Sequence, residues 1–158
     1  MRSLAALLAG VLVVTVVLFW PRTVDPPADV ALPPIPHIDR PLRLTFFGTS
    51  LTANYNWPEH AGDHLAACLG QSPQINRVAK SGAGSDWALT RITEVVASNP
   101  DVILIEFSIN DADLRDGKSL AAARSNHRRI IAELRLALPD TRIVLIPHSP
   151  SKSLISLS

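Results

Sequence analysis

The run Val102-Ile103-Leu104-Ile105 narrows the choice of fold more than any other segment. Four consecutive apolar residues do not alternate between a wet and a dry side. A strand built from them must be covered on both faces, as in a parallel sheet. Parallel strands need crossover connections, and the flanking sequence supplies them. Leu42 to Phe47, Gln74 to Ala79, Asp101 to Phe107 and Arg142 to Ile146 read as strands. Pro58 to Leu69, Asp86 to Ser98 and Ser119 to Leu138 read as helices between them. Pro58 suits a first helical turn. Ser85 can cap the second helix, with Trp87, Ile92, Val95 and Val96 on its apolar side. Ser119 can cap the third and Pro139 follows it, while Ile130, Ile131, Leu134 and Leu138 recur at helical spacing. This alternation predicts an α/β fold with a doubly wound parallel sheet. Right-handed crossovers then bring the carboxyl ends of all strands to one edge, where ligands bind.

The amino-terminal residues differ in character. Arg2 precedes Leu4 to Trp20, which carries no charge and ends in Phe19-Trp20. The stretch is longer than a usual signal core and slightly shorter than the roughly 20 residues of a full span. Residues 1–20 are expected to be an apolar helix acting as an uncleaved membrane anchor, with a cleaved signal as the alternative. Either places the domain outside the cytoplasm, tethered in the first case, secreted or periplasmic in the second. Residues 21–41 hold seven of the 13 prolines and read as a semi-rigid linker. Residues 42–148 form the α/β domain, and 149–158, with five serines, an irregular tail. A net charge of +1 gives no electrostatic case for nucleic acid. The single Cys68 excludes an internal disulfide and a cysteine metal cluster, and its helical setting predicts a buried, inert thiol.

Three polar segments follow strands: Gly48-Thr49-Ser50-Leu51-Thr52, Lys80-Ser81-Gly82-Ala83-Gly84-Ser85 and Ser108-Ile109-Asn110-Asp111. With strand order 2-1-3-4, the first strand lies between the second and third, at spacings of about 4.8 Å. Ser50 then has Gly82 on one side and Asn110 on the other. A serine that attacks an ester creates an oxyanion beside itself. The Gly82 N–H, the Asn110 amide and the Ser50 N–H are the donors such an oxygen needs. Glycine at 82 is expected to let the backbone approach closely.

On these residues, from about Leu42 to Ile146, the chain resembles the SGNH, or GDSL-type, hydrolases. The resemblance implies a flavodoxin-like sheet of order 2-1-3-4 with a further fifth strand. It implies Ser50 as nucleophile and Gly82 and Asn110 as the oxyanion hole. It also implies hydrolysis of an acyl or acetyl ester, on a small molecule such as an acylated carbohydrate or lipid, with no metal or organic cofactor. Thr49 stands where the family has aspartate, and Ser108 where it has glycine.

The family's base comes from an Asp-x-x-His stretch after the last strand. Here Pro34, Trp57, Ala61, Arg124 and Leu145 precede the five histidines by three residues, so none fits. His148 ends the fourth strand two strand spacings from Ser50, roughly 10 Å, against the 3 Å or so a direct hydrogen bond needs. The fifth strand and the Asp-x-x-His portion are therefore expected to be missing through truncation or a frame-shift. A non-catalytic remnant or a membrane-tethered binding module is the alternative function. His60-Ala61-Gly62-Asp63-His64 sets two imidazoles one turn apart, yet lacks a third ligand and reads as a solvated helix face. Arg124, His127, Arg128 and Arg129 read as the outer face of their helix, and Asp111 as a loop-stabilising residue.

Overall fold

A computed structural model describes residues 39–113, 117 and 119–146. Expectations for residues 1–38, for His148 and for the tail after it lie outside the described residues. Among those residues no helix is long and apolar enough to cross a membrane.

The chain runs β1 (Arg43–Gly48), α1 (Ser50–Asn54), α2 (Trp57–Leu69), β2 (Gln74–Ala79), α3 (Ser85–Leu89), α4 (Ile92–Ala97), β3 (Val102–Glu106), α5 (Ser108–Asp111), α6 (Leu120–Ala137) and β4 (Arg142–Leu145). The four strands form one parallel sheet of order β2-β1-β3-β4. The strand order and the alternation of elements agree with the sequence reading. Two short helices, α1 and α5, open directly from the ends of β1 and β3 and have no periodic pattern of their own.

Adjacent side chains in β1 point to opposite faces, so Phe46 and Phe47 enter different cores. Phe47 joins Val78, Ala88, Val95, Ile103, Ile105, Phe107, Ile130 and Leu134 under α3, α4 and α6. Its ring meets Phe107 edge-on, with centroids 4.9 Å apart. Phe46 joins Leu42, Leu44 and Val102 on the other face and meets Trp57 of α2 in the same manner. Leu104 and Val144, toward β4, stay half-buried, and Leu145 is exposed.

The helix expected over Asp86 to Ser98 is two helices, interrupted at Thr90-Arg91. Ser85 does not cap the first of them. Gly84 occupies the N-cap position, and Ser85 is fully buried because its groups bond elsewhere. Ser119 does cap α6, accepting from the Ala122 N–H. Cys68 is exposed, against the expectation of burial. Helix α2 turns Pro58 and Gly62 inward, and the last turn carries Cys68 and Leu69 outward.

The amino ends of the strands are fastened by charge. Asp101 receives both terminal nitrogens of Arg40 at 2.7 Å and the Arg43 N–H at 2.8 Å. These donors, the Arg40 guanidinium foremost, hold the Asp101 carboxyl well below the usual carboxylate range.

Candidate active site

At the opposite edge, β1 ends in Gly48, in register with Ala79 of β2 and Glu106 of β3. The loops that leave these strands carry Ser50, Gly82 and Asn110. The sheet thus brings the three residues to one edge, with the Ser50 segment in the middle.

Ser50 is the first residue of α1. Thr49 caps this helix with its hydroxyl, which accepts from the Leu51 N–H at 3.3 Å. The first amides of a helix lack intrahelical acceptors. The Thr49 N–H donates to Glu106 and the Leu51 N–H to the cap, whereas the Ser50 N–H and hydroxyl bond no described residue. Gly48 must be glycine on packing grounds. A Cβ there would lie 2.3 Å from Thr52 Oγ1 and 3.0 Å from Glu106 Oε2.

Gly82 is third in a turn closed by the Ala83 N–H donating to the Lys80 carbonyl, 3.1 Å. Its φ of 73° is the positive value that a type II turn requires at that position. Nothing lies within 4 Å of where a Cβ would stand. Close approach of backbone is therefore not what Gly82 provides in this structure; the left-handed conformation is.

Asn110 lies in the single turn of α5. Its Nδ2 donates one hydrogen to the Ala83 carbonyl at 2.7 Å, which fixes the amide plane. A carboxamide has a second N–H, and no described residue accepts it. Ser108 keeps an ordinary negative φ, so serine is tolerated where the resemblance leads one to expect glycine.

Side chains outside the predicted catalytic set bind the three segments together, among them Asp111, which stabilises the loop as its sequence reading expects. Asn54, at the end of α1, donates through Nδ2 to Ser81 Oγ at 2.9 Å, beside Gly82. Asp111 is buried and accepts the Ser85 N–H on Oδ1 at 2.9 Å. His127 Nε2 lies 2.9 Å from Asp111 Oδ2, and its N–H donates to that carboxylate. Asn126 donates to Ser85 Oγ at 3.1 Å. His127 is thus half-buried against the loop and not on the outer face expected of it; Arg124, Arg128 and Arg129 are exposed. Helical spacing carried the signal for His127, which lies four residues after Ala123 and three before Ile130, on the buried side of α6. Glu106 also left a sign: it is the one charge in the apolar run Val102 to Phe107.

Arg77 of β2 supports α1 from below, donating to the Thr52 and Tyr55 carbonyls and pairing with Glu59. His60 and His64 are exposed, and no group of three metal-ligating side chains occurs among the described residues.

The described residues thus form a doubly wound parallel sheet with a serine at the turn after its first strand, and a positive-φ glycine and a carboxamide on the loops to either side. Residues 46–155 match the family model of the GDSL-like lipase/acylhydrolase family, and the chain belongs to that family. Among solved structures it is similar to AlinE4, an SGNH-hydrolase family esterase, with 26% identity and a TM-score of 0.60, over 75% of this chain and 65% of that one. It is also similar to the lipase/acylhydrolase from Enterococcus faecalis, with 25% identity and a TM-score of 0.58, over 70% and 60%. The chain therefore spans less than two thirds of the length of these structures. No curated protein matches it.

Proposed function

We propose that this chain carries the nucleophile and oxyanion hole of an SGNH-type serine ester hydrolase at the cell envelope. Ser50 Oγ attacks the acyl carbon and the alcohol departs. Water then releases the acid. The Gly82 N–H, the second Asn110 amide hydrogen and the Ser50 N–H receive the negative oxygen, where such donors supply several kcal/mol of transition-state stabilisation. The observation that carries this reading is the availability of these groups. Ser50, Gly82 and Asn110 share one sheet edge, and the donors assigned to the oxyanion bond no described residue. The substrate is a small ester, an acyl or acetyl group on a carbohydrate or lipid. The uncharged stretch Leu4 to Trp20 supports location at a membrane or beyond it.

One observation favours a second reading, a non-catalytic, membrane-tethered binding module. The sequence has no Asp-x-x-His, and no described residue hydrogen bonds the Ser50 hydroxyl, so none of the described residues is placed to take its proton. A fluorophosphonate probe decides between the two, together with p-nitrophenyl acetate turnover and Ser50→Ala as control. Labelling and turnover that vanish in Ser50→Ala support the hydrolase. Equal labelling of both proteins refutes Ser50 as nucleophile, and absence of labelling and turnover in both supports the binding module.

A further inference from the structure

Glu106 is 4% exposed and lies at the end of a strand covered on both faces. Burying a carboxylate is costly unless donors surround it. Three donors converge on one of its oxygens, Oε2: the Thr49 hydroxyl at 2.8 Å, the Thr49 N–H at 3.2 Å and the Thr52 hydroxyl at 3.4 Å. The other oxygen, Oε1, is buried with no hydrogen-bond partner among the described residues. Such an arrangement is not the way to satisfy a carboxylate for its own sake. All of its bonds go to the two residues that bracket Ser50-Leu51.

The tie extends through the cap. Thr49 Oγ1 donates to Glu106 and accepts from the Leu51 N–H, so one hydroxyl couples the carboxylate to the residue after the serine. Gly48 leaves room for this, since a Cβ there would sit 3.0 Å from Oε2. The Ser50 hydroxyl makes no bond to any described residue, so no hydrogen bond restrains it directly. Its placement is inherited from Thr49, Leu51 and Thr52.

We infer that Glu106 is a positioning residue for Ser50, setting the nucleophile turn through Thr49 and Thr52 without touching substrate. The inference rests on the reading of Ser50 as nucleophile. It also explains how threonine serves at position 49: a hydroxyl can donate to Glu106 and cap α1 together, which a carboxylate cannot do.

The test uses the full chain with Glu106→Ala, Glu106→Gln, Thr49→Val and Thr49→Ser. Amide hydrogen exchange at Thr49 and Leu51 reads the turn directly. The rate of fluorophosphonate labelling at Ser50 reads its consequence. Glu106→Ala should raise exchange at both amides about tenfold or more, the loss expected for bonds to a charged acceptor, while Phe46 and Ile103 exchange as before. Labelling should slow by about the same factor. Glu106→Gln, which keeps an acceptor, and Thr49→Ser, which keeps the hydroxyl, should restore most of both; Thr49→Val should copy Glu106→Ala at Leu51. Should Glu106→Ala not fold, the Gln and Val variants carry the same comparison. Unchanged exchange at Thr49 and Leu51 in Glu106→Ala, or unchanged exchange at Leu51 in Thr49→Val, overturns the inference. A wild type that is not labelled at Ser50 overturns the nucleophile reading instead, and the exchange data still decide whether Glu106 holds the turn.

Discussion

Asp111 offers the most demanding test of how the site is assembled. Its carboxylate takes the Ser85 N–H on one oxygen and His127 on the other, and it sits next to Asn110 in α5. Asp111→Ala removes both bonds and strands the Ser85 N–H, which belongs to a residue with no exposed surface. A hydrogen bond to a charged acceptor contributes about 1.5–3 kcal/mol, and a buried unpaired N–H costs about 1–3 kcal/mol. Discounting for overlap and for relaxation, the substitution should destabilise the fold by about 3 kcal/mol. Asp111→Asn should cost only about 1 kcal/mol, because its carbonyl still accepts from Ser85 and His127 can turn a lone pair toward the new amide. Urea unfolding followed by tryptophan fluorescence measures both, with the slope checked for constancy. Amide exchange at Ser85 should accelerate in the alanine variant and stay close to wild type in the asparagine variant. An Asp111→Ala protein within about 0.5 kcal/mol of wild type, with Ser85 still protected, would refute the bridging role.

Glycine substitutions separate packing from backbone strain. Gly48→Ala places a methyl 2.3 Å from Thr52 Oγ1 and should cost about 2 kcal/mol or more in thermal or urea unfolding, with loss of Ser50 labelling. Gly82→Ala has open space and should cost only about 1–2 kcal/mol, from the positive φ alone. The Asp101 clasp predicts a pH effect. Its carboxyl is depressed in the folded state, so the stability it contributes is present above the unfolded value near 4 and is lost as pH falls below it. Asp101→Asn should therefore be less stable than wild type at pH 7, and the two unfolding midpoints should converge as pH falls below about 4.

The elements that were legible in the sequence are those with a period or a cap. β2 matches its expected span to the residue, and Ser119 caps α6 as its position implied. The break between α3 and α4 was not legible, because the buried residues Ala88, Ile92 and Val95 keep a helical spacing across Thr90-Arg91. The placement of Ser50, Gly82 and Asn110 on one edge followed from topology, since each comes just after a strand. The ties among them did not. Asn54 to Ser81, Asn110 to Ala83 and His127 to Asp111 join residues 16 to 27 positions apart, and no local pattern encodes such pairs. Gly82 shows the same limit on a smaller scale: its glycine was expected, but the reason, a left-handed φ in open space, belongs to the turn.

The bidentate grip of Arg40 on Asp101 has a consequence for how this domain tolerates change. It fastens the pole of the sheet farthest from Ser50, where Asp101 also joins β1 and β4 through its own main chain. This clasp shares no residue with the hydrogen bonds around Ser50, so the two ends of the sheet are held independently. Sequence drift among the rim loops can remodel what the domain accepts while the far pole keeps the strands aligned, and damage at that pole would thin the folded population without reshaping the molecules that remain.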